Sequence, residues 1–310
     1  MLLSREELVR HAAGRPTAIT VGVFDGVHLG HRHLIATLKA RAAERGLASG
    51  VVTLHPSPIQ VLRPQIRIAY LTSLEERVEL LRATGVDAVA PLTFTSEVAE
   101  LSAFDFLQML REALDMRFLL MGPDNGFGRG REGSPERAAE IGRDLGFEVE
   151  VLDDALDGDG GRVSATAIRN ALTRGEMELV AALLGRPYAL RGPIVRGHQR
   201  GRALGYPTAN MAVTPDRAMP AFGVYITRAQ LGDRIYPSAT NIGINPTFND
   251  IVPSVETYIL DFEGDIYSRE LRIEVLHRLR DELRYGTNEE LTAAIAADVE
   301  VTREYFAANP

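Results

Sequence analysis

The sequence predicts an α/β unit with a parallel sheet over residues 1–184, followed by a small antiparallel β-barrel with a terminal helix over 185–310. Two observations carry this. Short apolar runs alternate with helical patterns through the first part, the arrangement of a parallel sheet covered by helices. From about Gly185, Gly and Pro punctuation sets in and strand-like segments dominate, which fits a small barrel. A chain of 310 residues is also long enough for two cores.

The elements follow in order. Strand-like runs lie at Ala18–Phe24, Gly50–Leu54, Asp87–Leu92, Arg117–Met121 and Phe147–Leu152. Between them, Leu29–Arg45 is a helix stopped by Gly46. Ser73 with Glu76 forms a capping box before RVELLRAT, and Gly85 closes that helix. Ser102 caps a third helix reaching Met116, with Asp105 three residues on. In the second part the strands read Tyr188–Val195, Phe222–Arg228, Ile235–Asn241, Val255–Phe262 and Leu271–Leu276. Thr287 with Glu290 opens the closing helix.

Composition excludes several chemistries. The chain has no cysteine, which removes disulfides, thiolate catalysis and thiolate metal sites together. Lys39 is its one lysine, in a context that reads as a solvated helix face. A Walker A loop is therefore absent, and phosphate handling falls to Arg, His, backbone amides or a metal. With 34 basic and 42 acidic residues the net charge is −8, a poor basis for binding nucleic acid. The N-terminal MLLSREELVRHAAG lacks the apolar core of a signal peptide, and no run of 18 apolar residues occurs. These features predict a cytoplasmic enzyme without nucleic-acid or membrane partners, a monomer or weak homo-oligomer.

The strongest motif in the first part is GVFDGVHLGH, Gly22 to His31. A strand delivers Phe24 and Asp25 to its carboxyl end, and a turn through Gly26 leads into a helix. His28 and His31 then project from its first turn on one side. Free amides and the helix dipole favour anions there, and Gly30 leaves the backbone open to a base or phosphate. Two imidazoles in that place suit charge developing on an α-phosphate and a departing pyrophosphate; a metal site with His33 is the competing reading. SATAIR, Ser164 to Arg169, offers hydroxyls at Ser164 and Thr166 and the fork of Arg169 to phosphate oxygens, or is simply a capped helix. Gly128–Gly133 is a literal GxGxxG, but it does not join a strand tightly to a helix as a dinucleotide fingerprint does. The acidic tract Asp153–Gly161 lacks EF-hand spacing and reads as a solvated loop.

GPIVRGHQRGRALGYPTANM, Gly192 to Met211, is the most specific stretch of the chain. Gly197, Gly201 and Gly205 free a loop to wrap phosphates, and Arg200 and Arg202 add charge. Pro207 then fixes the backbone so that Thr208 and Asn210 present oxygens to one side. Hard neutral oxygens beside phosphates describe a Mg²⁺ site completed by ATP and water.

In GVFDGVHLGH and SATAIR the chain resembles the HxGH nucleotidyltransferases, which have a Rossmann-like parallel sheet. Gly192–Met211, NIGINPTF (Asn241–Phe248) and VETYILDFEGDIY (Val255–Tyr267) resemble riboflavin kinases. Together these cover nearly the whole chain, which resembles the prokaryotic bifunctional riboflavin kinase/FMN adenylyltransferase family. The resemblance implies ATP-dependent phosphorylation of riboflavin to FMN, then adenylylation of FMN to FAD with release of pyrophosphate, Mg²⁺ serving both steps. It implies a flavin-binding loop at Gly122, Asp124, Phe127, Gly128 and Gly133, with Asn125 where an aromatic is usual. It further implies Glu256 as the kinase base and places Arg280 and Glu282 near the flavin. The family's second serine is Ala165 here, and its FDPHP-like stretch reads Leu54-His-Pro-Ser-Pro58. A kinase with a slow or repurposed first domain, and a non-catalytic flavin or nucleotide sensor, are the alternative functions.

Overall fold

The computed structural model describes residues 2–122, 125–152, 163–197, 201, 204–246 and 251–309. These form two compact units, Met1–Ala165 and Thr166–Pro310.

In the first unit the elements run α1 (Leu2–Val9), β1 (Thr17–Gly22), α2 (Leu29–Glu44), β2 (Ala48–His55), α3 (Pro58–Leu62), α4 (Leu74–Arg82) and β3 (Ala88–Thr93). Then come α5 (Ser96–Ala99), α6 (Ala103–Leu114), β4 (Met116–Met121), α7 (Pro135–Leu145) and β5 (Glu148–Val151). The strands form a parallel sheet in the order β3-β2-β1-β4-β5. Alternation along β1 sends Ala18 to one face, where Ile35 and Leu38 of α2 and Leu81 of α4 cover it. Ile19 and Val21 go to the other, against α6 and α7. Each fully buried Leu or Ile in these layers contributes about 1.5–3 kcal/mol.

The helix boundaries follow the cap chemistry. Ser73 and Glu76 exchange both bonds of the capping box at α4, and Ser102 accepts from the Asp105 amide at α6. Three expectations need correction. The third helix stops at Leu114, because Asp115 turns left-handed (φ 47°) and Met116 already belongs to β4. β1 ends at Gly22 rather than Phe24, since Phe24 is itself left-handed (φ 53°). Lys39 is half-buried, not on a solvated face: its Nζ donates to the Thr84 carbonyl at 2.6 Å, beyond the end of α4.

The second unit contains α8 (Ala165–Arg174, from its second residue on), α9 (Met177–Leu184), β6 (Tyr188–Val195), β7 (Thr208–Met211), β8 (Gly223–Leu231), β9 (Arg234–Pro246), β10 (Ile251–Ile259), β11 (Glu270–Arg280) and α10 (Asn288–Ala308). The six strands close into an antiparallel barrel in the order β10-β7-β6-β11-β8-β9. β7 is the strand that strand-pattern reading misses; at four residues it is too short to show a period. The compact units divide at 165/166, whereas the change in strand grammar falls at 184/185. The Leu172 carbonyl of α8 accepts from the Ala221 amide, and α9 packs on β6 and β11.

Inside the barrel, hydroxyls replace part of the apolar filling. Thr227 Oγ1 lies 2.7 Å from Ser238 Oγ and 2.8 Å from Thr240 Oγ1, and Thr240 lies 3.0 Å from Thr257. All four residues are fully buried. Each hydroxyl is satisfied by its neighbours, so their burial carries no desolvation debt.

Candidate active sites

In the first unit the chain leaves β1 to build β2 and β3 on one side, then returns to β4 on the other. The carboxyl end of β1 is therefore the point at which strand order reverses, where ligands of parallel sheets bind. The turn there is strained: Phe24 (φ 53°), Gly26 (φ 77°) and the β-branched Val27 (φ 42°) are left-handed within four residues.

His28 ends the turn as the cap of α2. Its Nδ1 accepts from the His31 amide at 3.3 Å, which leaves the ring proton on Nε2. The two imidazoles stack at 3.6 Å and 18°, with the Phe24 ring at 5.0 Å from His31. Burial, then His28, then the cation of Arg77 hold the His31 pKa well below its ordinary 6.5. His28 thus presents its Nε2–H at a helix N-terminus, with His31 stacked on it and held from protonation. His33 is exposed on α2, and no cluster of three or more His, Asp or Glu able to hold a metal occurs among the described residues.

Several residues expected to face a nucleotide have other work. Asp25 turns inward, where its carboxylate accepts from the amides of Leu71 and Thr72 at 3.0–3.1 Å. Phe24 is 2% exposed and packs in the core beneath α2. Gly22 gives Phe24 room, since a Cβ there would stand 3.1 Å from its ring. A Cβ on Gly30 would meet the His28 ring at 3.2 Å and the Val163 carbonyl at 3.3 Å. This close approach brings Ser164 beside the start of α2. Thr166 and Arg169 lie three apart on α8 and share a face.

The flavin loop is also corrected in part. Phe127 is buried, its ring 5.7 Å from Phe106 in the core, where it anchors the loop. Asn125 lies closer to the strand ends, its Nδ2 donating to the Val21 carbonyl at 3.3 Å. Gly128 presses on the start of α6, where a side chain would collide with the Ala103 backbone. The GxGxxG run serves that packing, and α7 follows it under the Ser134 cap. Asp124, Arg200, Arg202 and the Asp153–Gly161 tract lie outside the described residues.

The barrel site is assembled by register. Glu256 on β10 is paired with Asn210 on β7 and with Asn241 on β9. Directly paired residues share a face, so the three make one polar row on the outer wall while Thr257 points inward. Thr208 Oγ1 donates to Glu256 Oε2 at 3.5 Å. Gly197 crosses Asn210 so closely that any side chain would strike its amide, and Gly205 is left-handed at φ 83°. Asn241 went unselected in the sequence because only pairing with β10 brings it beside Glu256.

Two cavities flank this row. One of about 740 Å³ is lined by Thr208, Asn241, Glu256 and Arg280 of the wall and by Leu291 and Ile295 of α10. The other, about 530 Å³, is lined by Pro207, Thr208, Phe262 and Tyr267. Thr208 lines both. Arg280 is held by Asp298, to which it donates twice at 2.9 and 2.6 Å, and this bond raises its pKa. It shapes the larger cavity by tying the segment after β11 to α10. Glu282 lines the same cavity, its carboxylate against Gly243 with no space for a Cβ between them.

The first unit thus presents two stacked imidazoles at a helix N-terminus, and the barrel wall a carboxylate among neutral oxygens. Residues 10–167 match the sequence model of the FAD synthetase family, and residues 184–306 match that of riboflavin kinase. The bifunctional riboflavin kinase/FMN adenylyltransferase of Listeria monocytogenes is 37% identical over 293 residues, 93% of this chain and 92% of its own. That of Escherichia coli K12 is 36% identical over 290 residues, with the same two coverages. A solved structure titled macrolide-efflux protein from Streptococcus pneumoniae superposes with a TM-score of 0.84 at 31% identity, covering 93% of this chain and 94% of that one. No helix among the described residues is long and apolar enough to cross a membrane. The chain belongs to the family of bifunctional riboflavin kinase/FMN adenylyltransferases, enzymes of flavin cofactor synthesis.

Proposed function

We propose that the second unit phosphorylates riboflavin to FMN and the first joins AMP to FMN, both from ATP. The observation that carries this reading is the placement of Thr208 between two cavities, with Glu256 within reach of its hydroxyl. Riboflavin fits the larger cavity, with its apolar α10 wall, and the triphosphate the smaller. Glu256 takes the proton of the ribityl 5′-hydroxyl as that oxygen attacks the γ-phosphorus, and Thr208 orients the carboxylate. Arg280 and Glu282 shape the flavin end. Thr208 and Asn210 are hard neutral oxygen donors on one face, a pair that fits Mg²⁺ retaining water and phosphate ligands. When bound, the ion neutralises charge on the phosphates.

In the first unit, His28 Nε2–H and His31 donate to the α-phosphate as the FMN phosphate attacks it and pyrophosphate departs. The start of α2 adds its amides and dipole. Ser164 stands beside that helix end, while for Thr166 and Arg169 a grip on the β- and γ-phosphates rests on their likeness to the family motif. For Asn125, beside the end of β1, a flavin contact rests on its position in the family's loop. Substrates are small molecules, and the acidic charge fits a cytoplasmic protein without nucleic-acid partners.

The test is a time course with riboflavin, ATP and Mg²⁺, with flavins resolved by chromatography and pyrophosphate measured directly. FMN rises first, then FAD with equimolar pyrophosphate. FMN accumulating with no pyrophosphate reduces the chain to a kinase, and no turnover makes it a sensor.

A further inference from the structure

Arg77 on α4 is fully buried, yet it lies among backbone rather than in an ion-pair network. Its Nη1 donates to the Val23 carbonyl at 2.9 Å and to the Leu54 carbonyl at 3.4 Å, spanning the ends of β1 and β2. Thr53 Oγ1 donates to the same Val23 carbonyl at 3.0 Å. Arg77 Nη2 stands 3.7 Å from Asp25, and the guanidinium lies 5.4 Å above the Tyr70 ring. Nε and Nη2 have no hydrogen-bond partner. Burying a cation so incompletely paired is costly.

What it adjoins explains it. Val23 and Asp25 flank Phe24 in the strained turn that leads to His28 and His31. The same turn is gripped by Thr72, whose Oγ1 accepts from the Gly26 amide at 3.1 Å and whose backbone donates to Asp25. Left-handed Phe24 and Val27 persist only where surrounding bonds over-determine them.

We propose that Arg77 is a positioning residue for adenylyl transfer, clamping the Phe24–Val27 turn so that the two imidazoles stay stacked at the N-terminus of α2. Its charge also opposes protonation of His31, as does the stacked His28, and the carboxylate of Asp25 stands 3.7 Å from Arg77 Nη2. This inference rests on assigning adenylyl transfer to His28 and His31.

Two substitutions separate the clamp from the charge. Arg77→Lys keeps a cation and loses the planar fork; Arg77→Met keeps bulk and loses both. FAD formation from FMN and ATP is measured, with riboflavin phosphorylation and thermal unfolding as controls for folding. The His28 and His31 ring signals are followed by NMR against pH. Both variants lose about 10²-fold in kcat, with KM for ATP and FMN within about threefold and the kinase unchanged, the signature of lost orientation. The histidine ring signals move in both, and the His31 midpoint rises in Arg77→Met alone. Should Arg77→Met fail to fold, Thr72→Val tests the same clamp through a kcat loss of about tenfold and shifted ring signals. Folded Arg77→Lys with kcat within threefold of the parent, or with unmoved ring signals, overturns the proposal. His31→Ala is run alongside: if it retains adenylylation, the assignment of the site falls, whereas its loss beside an active Arg77→Lys removes Arg77 alone.

Discussion

In the parallel-sheet unit the two imidazoles lie three residues apart on one helical turn, whereas the barrel joins Thr208 to Glu256 across 48 residues of sequence. The first centre is a local motif bonded to distant groups, with Leu71, Thr72 and Arg77 meeting the left-handed turn at Asp25, Gly26 and Val23. The second is a distant assembly held by register: β10 lies between β7 and β9, and the buried hydroxyls behind it fix which face each residue takes. A slip of one residue would turn Glu256 into the barrel and Thr257 out. A contiguous motif thus depends on its support, and a dispersed one on the order of its strands.

The largest break in this comparison comes from Glu256→Gln, which keeps shape and removes basicity. Phosphorylation falls by about 10²–10⁴-fold with riboflavin affinity retained, as read by flavin fluorescence titration. FMN adenylylation continues at the parent rate. His28→Ala removes both an Nε2–H donor and the cap of α2. It lowers FAD formation by about 10²–10³-fold, measured as pyrophosphate release, and leaves FMN formation unchanged.

How far the sequence could be read follows the same division. GVFDGVHLGH shows its histidines because three-residue spacing is enough to place two side chains on one helical turn. It does not show that Asp25 faces inward, because that depends on the amides of Leu71 and Thr72, 46 and 47 residues on. Phe127 reads as a flavin contact until Phe106 closes over it in the core. The barrel strands are legible from their turns, except four-residue β7, and the local pattern that shows Thr208 and Asn210 gives no sign that Glu256 and Asn241 join them in one row. Glu256 was reachable through family resemblance; Asn241 and Arg77 were not singled out, since a polar residue inside a strand or helix looks solvated until its neighbours are known.

Two smaller effects sharpen the contrast. Thr240→Val leaves Thr227 and Thr257 without a shared partner and destabilises the barrel by about 1–3 kcal/mol. Calorimetry then shows a lowered transition for the second unit, with the adenylyl transfer rate retained. The depressed pKa of His31 makes the first unit the more acid-sensitive at this position. The unfolded chain binds a proton near 6.5 that the folded site resists, so this contribution to stability is present above that pH and is lost as pH falls towards the lower folded value. Urea midpoints at pH 7.5 and 5.5 report it, and His31→Gln flattens the difference.

The central claim, two separate centres acting in series, is tested most directly by mixing two proteins that each lack one of the activities. Glu256→Gln alone makes almost no FAD from riboflavin, and His28→Ala alone stops at FMN. Combined in one tube with riboflavin, ATP and Mg²⁺, the second supplies FMN and the first converts it, so FAD appears at a rate that rises with either protein. Loss of both reactions in either folded variant, leaving the mixture as inactive as its parts, would contradict the account.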